Sequence, residues 1–248
     1  SGRYEFKNKG IDVFIHAMRR CLDQSADLKN EVLALIQVPG WVAGPRADLQ
    51  ARLDFPQVYD TALDNPVITH DLHEMQHDQV LNLFRALNIS NSEESKVKVI
   101  FVPCYLDGAD GIFQMPYYDL LIGNDLAVYP SYYEPWGYTP LEAVAFHVPC
   151  ITTSLSGFGI WAQTVKGDIS TLEDGVEVLA RNDYNNDEVA QGICHALLRY
   201  SACSDQERDA MRKKASALSK KALWKNFFTY YKQAYAIALE NAKLRQSK

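Results

Sequence analysis

Two glutamates and the short segment between them are the residues of this chain best suited to chemistry. The segment Tyr129–Glu142 reads Y-P-S-Y-Y-E-P-W-G-Y-T-P-L-E, so that Glu134 and Glu142 form an E-x7-E pattern. A helix is predicted to begin within 137–140, with Thr139 as a candidate N-cap and a proline in its first turn. The N–H groups at a helix start bind anions, whereas carboxylates accept hydrogen bonds from hydroxyls. The pattern therefore predicts a ligand with phosphate between two polyhydroxyl groups, which is the layout of a sugar nucleotide.

The anion site would use the N–H groups of Gly137, Tyr138 and Thr139. Gly137 also lets the backbone approach a ligand closely, because it has no side chain. The E-x7-E spacing alone is weak evidence, and the alternative is a loop whose acids are merely solvated. The many bulky aromatics of S-Y-Y-E-P-W-G-Y-T-P favour the ligand site, because exposed aromatic clusters mark binding surfaces.

Alternating strand-like and helix-like segments predict the scaffold that positions this loop. The predicted strands cover 31–38, 97–103, 126–129, 150–153 and 176–180. The predicted helices cover 12–22, 78–87, 140–146, 187–200 and two long segments between 205 and 244. Residues 39–66 hold four prolines and are expected to be irregular with one short helix, and the tail 241–248 is expected to be disordered. The alternation indicates an α/β fold, a doubly wound Rossmann-like parallel sheet, whose ligands bind beyond the carboxyl ends of its strands.

Composition excludes several classes of protein. A net charge of −6 argues against a nucleic-acid partner, and no apolar run approaches the ~18 residues of a membrane span. Five scattered cysteines without a C-x-x-C pair predict reduced thiols in a cytosolic protein. The opening residues Ser1–Phe6 read as the end of a strand that enters a loop, so we expect the chain to be part of a longer one.

Three segments resemble the glycogen synthases of animals and fungi. They are P-S-Y-Y-E-P-W-G-Y-T-P-L-E at 130–142, G-R-Y-E-F-K-N-K-G at 2–10 and I-T-T-S-L-S-G-F-G at 151–159. The resemblance implies that residues 1–248 are the C-terminal nucleotide-sugar-binding domain of a two-domain GT-B-type glycosyltransferase, without its acceptor domain. It implies transfer of glucose from a nucleoside-diphosphate glucose to the non-reducing end of an α-1,4-glucan, with retention. UDP-glucose is the favoured donor, and ADP-glucose remains open.

The resemblance also assigns roles to individual residues. Arg3 and Lys9 match the basic pair that holds the donor diphosphate, Lys7 is a weaker candidate, and Glu134 matches the glutamate beside the donor glucose. The remaining donor-binding candidates are Tyr117, Trp136, Gly137, Tyr138, Thr139 and Glu142, although adjacent Tyr118 leaves the register of Tyr117 uncertain. Cleavage of a glycosyl–phosphate bond passes through an oxocarbenium-like state, and basic groups stabilise the departing diphosphate. We therefore expect no metal cofactor. The residues themselves do not determine the stereochemistry; the resemblance implies front-face attack without a protein nucleophile, and so no nucleophilic role for Glu134.

Other patterns carry less information. His70, His73 and His77 form H-x2-H-x3-H, but no cysteine lies nearby and a loop leading to a helix explains them better than zinc. The segment 157–159 (G-F-G) lacks a third glycine and is expected to lie near the donor sugar. The stretch Met211–Phe227 has one arginine, where animal and fungal members carry an arginine-rich helix that binds glucose 6-phosphate. This departure, with a shorter 39–66 region, leaves regulation and homo-oligomer formation open and indicates a bacterial relative.

Two other functions remain open at this point. One is a different retaining glycosyltransferase with another donor or acceptor, since many share the E-x7-E element. The other is a non-catalytic nucleotide-sugar-binding module. The expected partners in every case are a nucleotide sugar and, for the favoured reading, an α-glucan, with no nucleic acid and no membrane.

Overall fold

The computed structural model describes residues 1–167 and 170–246. The strands of this part of the chain are β1 (Val32–Gln37), β2 (Val42–Pro45), β3 (His70–Leu72), β4 (Val97–Val102), β5 (Ala127–Val128), β6 (Cys150–Thr153) and β7 (Val176–Leu179). The helices are α1 (Ile11–Asp23), α2 (Ala47–Asp54), α3 (Gln79–Ala86), α4 (Tyr117–Ile122), α5 (Tyr138–Ala145), α6 (Gly157–Lys166), α7 (Asn186–Ala202), α8 (Asp205–Ser219) and α9 (Trp224–Gln246). All predicted strands and helices are present within a few residues of their expected bounds.

The strands that carry the fold are parallel. β1 pairs with β4 from Val32 opposite Val97 to Gln37 opposite Val102. β5, β6 and β7 form a second parallel group in that order. The apolar sequences of these strands suit burial on both faces, as in sheets that helices cover on each side. The α/β class and the parallel arrangement are therefore confirmed.

Two buried clusters form the core. The first surrounds β1 and β4 and contains buried side chains of α1, α3 and α7, among them Met18, Phe84 and Ile193. The second surrounds β5, β6 and β7 and contains buried side chains of α5, α6 and α8, among them Val144, Phe158 and Ala215. The clusters fix the carboxyl ends of the strands, where the candidate site lies. Within the described residues, no helix combines the length and apolarity that a membrane crossing requires.

The structure corrects three expectations. The 39–66 region holds a strand as well as a helix, because β2 pairs antiparallel with β3 around a register shift between Val42 and Gly44. Helix α5 begins at Tyr138 with Gly137 as its cap, so Thr139 is not the N-cap. The segment 241–246 is the helical end of α9 rather than disordered, which its alanine, leucine and lysine content favours, and 247–248 lie outside the described residues.

Candidate active site

Five of the nine predicted site residues line one cavity of about 540 Å³, and Tyr117, Trp136, Gly137 and Glu142 lie outside its lining. Arg3, Lys9, Glu134, Tyr138 and Thr139 all contribute to its lining. The cavity reaches the carboxyl ends of β1 and β5, which is where parallel α/β sheets bind their ligands. The structure therefore brings together residues that are far apart in the sequence.

Lys9 and Glu134 form an ion pair at the centre of the site. The ammonium group of Lys9 donates to the Oε2 atom of Glu134 across a sequence separation of 125 residues. The two side chains are only 19% and 24% exposed, so solvent screens their interaction weakly. An ammonium group has three donors, and Lys9 therefore retains donors for an incoming anion.

Backbone contacts hold the two loops of this pair together. The N–H of Tyr132 donates to the carbonyl oxygen of Asn8 at 2.8 Å. Gly10 caps α1 with a φ of 66°, and a Cβ atom there would overlap the carbonyl oxygen of Pro130. Only glycine fits such a left-handed position against another backbone without strain. The position of Lys9 relative to Glu134 thus depends on Gly10.

The buried side chain of Arg181 also supports the loop between β5 and α5. No sequence pattern identified this residue. Arg181 is 6% exposed, and its guanidinium donates to the carbonyl oxygen of Pro130 and to Oδ1 of Asn186, the latter at 3.2 Å. The guanidinium also lies over the ring of Tyr132, 5.6 Å from its centroid. Burial lowers the pKa of Arg181 from its usual value, with Asp12 opposing that effect. No local motif marks this arginine, so only the tertiary structure reveals it.

The start of α5 lies where the sequence predicts an anion site. Gly137 adopts a left-handed conformation with φ 100° and places the first N–H groups of an eight-residue helix at the cavity. Pro140 lies in the first turn, and because proline has no backbone N–H group it leaves no donor unpaired there. The N–H groups of Tyr138 and Thr139 have no intrahelical acceptor at a helix start, so they remain suited to phosphate oxygens.

The G-F-G segment supports this helix start rather than forming a separate loop. The N–H of Gly157 donates to the carbonyl oxygen of Glu134 at 3.0 Å, and that of Phe158 donates to Trp136 at 2.6 Å. The side chain of Ser156 caps α6 by accepting from the N–H of Gly159. The segment expected near the donor sugar therefore lies directly against Glu134.

The aromatic candidates occupy different environments. The ring of Trp136 packs against Phe158, Trp161 and Phe227, with centroids 5.5 to 6.2 Å apart. Tyr117 packs on the second core cluster and its hydroxyl lies 2.7 Å from Oγ of Ser1.

Tyr118 is exposed, in contrast to Tyr117. Its hydroxyl donates to Oε1 of Glu142 at 3.0 Å, and its ring lies 5.1 Å from that of Phe146. This contact with Glu142 raises the pKa of the Tyr118 hydroxyl. Tyr118 therefore presents its ring beside the second glutamate of the E-x7-E pattern.

Arg3 lies at the rim of the cavity. Its side chain is 85% exposed, and its closest acidic partner is Glu5, with Nη1 3.7 Å from Oε1. Such an exposed ion pair is weak, so the guanidinium is free to turn toward a bound anion.

The histidine motif does not assemble as its spacing would allow. Of the residues the structure describes, His70, Cys104 and Asp110 form the only cluster with potential ligand atoms within 4.8 Å of one another. Nε2 of His70 donates to the carbonyl oxygen of Asp110 at 2.8 Å, while Nδ1 lies 2.8 Å from Oγ1 of Thr69. The Asp110 carboxylate accepts three loop N–H groups, and burial raises the pKa of the Cys104 thiol to about 11. The His70 ring and the Asp110 carboxylate are therefore engaged in structural hydrogen bonds.

Comparison with known proteins identifies the family. A family model described as Glycogen synthase matches residues 58–247. The chain is 26% identical to the glycogen [starch] synthase of Neurospora crassa, over 98% of this chain and 41% of that protein. It is 27% identical to isoform 1 of the Saccharomyces cerevisiae enzyme, over 100% of this chain and 43% of that protein. A solved glycosyltransferase of lipopolysaccharide biosynthesis, WaaG, is 16% identical over 87% of this chain with a TM-score of 0.46. The chain spans about two fifths of the curated relatives it matches, and it belongs to the glycogen synthase family.

Proposed function

We propose that this chain is the donor-binding half of a glycogen synthase that transfers glucose from UDP-glucose to the non-reducing end of an α-1,4-glucan with retention. The observation that carries the proposal is the Lys9–Glu134 pair beside the N-terminus of α5 in one cavity. A helix start and an ammonium group suit a diphosphate, and the glutamates on either side suit the hydroxyls of glucose and ribose.

The chemical step that this site supports is departure of the nucleoside diphosphate. Negative charge grows on the diphosphate as the glycosidic bond breaks. Lys9, Arg3 and the N–H groups of Tyr138 and Thr139 are placed to stabilise that charge, which makes them the main contributors to catalysis. Glu134 orients Lys9 and accepts from the glucose hydroxyls, and in this proposal it has no nucleophilic role. These basic groups and helix N–H groups offer charge stabilisation without a metal ion, so we expect the reaction to require none.

The base and ribose are expected at the exposed side of α4 and α5. Glu142 accepts from Tyr118, so a ribose hydroxyl can join or replace that bond. The exposed ring of Tyr118 is better placed to stack on the base than Tyr117, whose hydroxyl is engaged by Ser1. Stacking on an aromatic ring does not distinguish uracil from adenine, so ADP-glucose is the alternative donor. The proposed location is the cytoplasm, because all five cysteines are unpaired.

Replacing Glu142 with alanine tests the ribose assignment. We expect the dissociation constant for UDP-glucose to rise about 10- to 100-fold, the value of a lost hydrogen bond to a charged group. Turnover should change less than about threefold, because ribose contacts are equal in ground and transition states. Calorimetric titration and initial rates on the complete enzyme measure the two effects, with Glu188→Ala on the exposed side of α7 as the control. A deep loss of turnover with unchanged affinity would refute the assignment.

Glucose 6-phosphate should change the activity of the complete enzyme less than about twofold. A tight phosphate site needs several free guanidiniums, because their planar forks bind phosphate oxygens in pairs. In α8, Arg212 already donates to the carbonyl oxygen of Asn124 and to Asp125, both at 3.2 Å. Arg208 lies over Tyr200 and contacts Asp205 at 3.6 Å. Initial rates of the complete enzyme with and without glucose 6-phosphate test this prediction. Several-fold activation by glucose 6-phosphate that is lost in the Arg212→Ala variant would contradict it.

A further inference from the structure

A second, shallower cavity lies beside the candidate active site. Its volume is about 400 Å³, and it is lined by Tyr132 and Tyr133 after β5, Leu155 after β6 and residues 181–184 after β7. Tyr133 also lines the cavity of about 540 Å³, and it directly precedes Glu134 in the sequence. This tyrosine depression therefore continues the candidate active site across the carboxyl ends of β5, β6 and β7.

Two of the tyrosine rings at the depression are open to solvent. Tyr184 is 93% exposed and Tyr133 is 60% exposed. In the part of the chain that the structure describes, neither side chain forms a hydrogen bond or packs on another aromatic ring. Exposed aromatic rings that are grouped around one depression mark a binding surface, because each offers a large apolar face with a polar hydroxyl at its end.

The loop that carries Tyr184 is held in one conformation by its asparagines. The N–H of Tyr184 donates to Oδ1 of Asn182 at 2.8 Å, and the N–H of Asn182 donates to Oδ1 of Asn185 at 2.8 Å. Nδ2 of Asn185 donates in turn to the carbonyl oxygen of Ala180 at 2.9 Å. Asparagine side chains commonly fix turns in this way. The backbone of Tyr184 is therefore ordered in advance, which lowers the entropy that a ligand contact must offset.

The polar groups of the depression suit a neutral ligand that carries hydroxyl groups. The hydroxyl of Tyr132 donates to Oδ1 of Asp183. Oδ2 of Asp183 has no hydrogen-bond partner among the described residues, so it is able to accept from a ligand hydroxyl. The one cation among the lining residues described, Arg181, is buried and lies over the ring of Tyr132. No exposed positive charge is therefore offered to a polyanion.

Aromatic faces, a carboxylate that accepts hydroxyls and the absence of exposed cations in this lining together fit a chain of glucose units. The C–H face of a glucose ring packs against an aromatic face, and its rim of hydroxyl groups reaches the polar groups beside it. We propose that Tyr133, Asp183 and Tyr184 bind the α-glucan acceptor outside the donor cavity and hold its chain beside the site of glucose transfer. This inference rests on the proposed function, because the glucan is the acceptor named there.

A glucan chain bound at two places on one protein is held more tightly than at either place alone. Loss of the depression should therefore weaken the acceptor and leave the chemical step intact. In the complete enzyme, we expect Tyr184→Ala to raise the KM for amylopectin about 5- to 10-fold, the value of one aromatic contact. Turnover at saturating amylopectin and the dissociation constant for UDP-glucose should stay within about twofold, because the substituted side chain touches neither the donor nor the reacting atoms.

Two variants serve as controls in the same assay. Tyr184→Phe keeps the aromatic ring and should keep the KM for amylopectin within about twofold of that of the unsubstituted enzyme. Tyr105→Ala removes a tyrosine that is 77% exposed and lies outside the lining of both cavities, so it should leave the KM unchanged. All three substitutions are at exposed side chains, where effects on folding are small.

Electrophoresis in native gels with and without soluble amylopectin measures glucan binding when no donor is present. Amylopectin should retard the complete protein, and its apparent dissociation constant should rise at least about fivefold for Tyr184→Ala but not for Tyr184→Phe or Tyr105→Ala. An unchanged KM and unchanged retardation for Tyr184→Ala would overturn the proposal, as would equal losses for Tyr105→Ala. Retardation that depends on Tyr184 in a protein that transfers no glucose would leave this glucan site in place and reject the proposed function instead.

Discussion

Alanine in place of Lys9 lowers the turnover of the complete enzyme about 100-fold or more, the scale of a lost charge contact in a transition state. Two effects act in the same direction. The ammonium group no longer meets the charge that grows on the leaving diphosphate. Glu134, only 24% exposed, also loses its cationic partner and then repels the same diphosphate. Initial rates at saturating donor measure the effect on turnover, and donor titration separates it from binding.

Two variants define the cause of that loss. Lys7→Ala removes another lysine of the same loop. The ammonium group of Lys7 is exposed and lies 2.7 Å from Asp12 rather than beside Glu134. Turnover should therefore stay within about threefold of that of the unsubstituted enzyme. Lys9→Arg keeps the charge and should recover part of the activity, although its planar group differs in shape. Equal losses for Lys7→Ala and Lys9→Ala would show that the loop, not the Lys9–Glu134 pair, governs the rate.

Alanine in place of Gly10 destabilises the chain by about 3–5 kcal/mol. A non-glycine residue at φ 66° costs about 1 kcal/mol or more, and the added Cβ overlaps the Pro130 carbonyl oxygen and approaches Arg181. Because Arg181 holds the same carbonyl, relief of the overlap must move the loop that carries Glu134. Urea unfolding measures the change in the free energy of unfolding, and a shifted midpoint with an unchanged slope indicates a pure stability effect.

Gly44→Ala is the matched control for this substitution. No heavy atom lies within 4 Å of a Cβ placed there, and its φ is not in the left-handed region. Its free energy of unfolding should change by less than about 0.5 kcal/mol. If both glycine variants are equally stable, the close approach of Gly10 to Pro130 does not constrain the site loop.

The fold elements were predictable where burial imposes a pattern. β4 and β6 are apolar segments of ordinary strand length, and both appear within one residue of their expected bounds. β2 and β3 were missed because they are four and three residues long, and β2 contains glycine and proline that argue against a strand. The helix α6 was missed because its G-F-G start reads as a loop, although Ser156 supplies an ordinary N-cap.

The candidate site was predictable in part for a different reason. The E-x7-E segment carries its own local chemistry, so both its glutamates and the helix start between them could be inferred. Lys9 and Glu134 are 125 residues apart in the sequence, and the hydrophobic periodicity of a sequence cannot predict a contact over such a separation. Tyr117 and Tyr118 are adjacent on a helix and point about 100° apart, so only the structure separates a packed ring from an exposed one.

The most direct test of the proposed function is glucose incorporation by the complete protein. Radiolabelled UDP-glucose and ADP-glucose are supplied separately with glycogen, and the product is tested for α-1,4 linkages at its non-reducing ends. We expect transfer from UDP-glucose by the complete protein, at least about 100-fold slower transfer by its Lys9→Ala variant, and none by the 248-residue chain alone. No transfer to glycogen from either donor by the folded complete protein, or robust elongation by the 248-residue chain alone, would contradict this account.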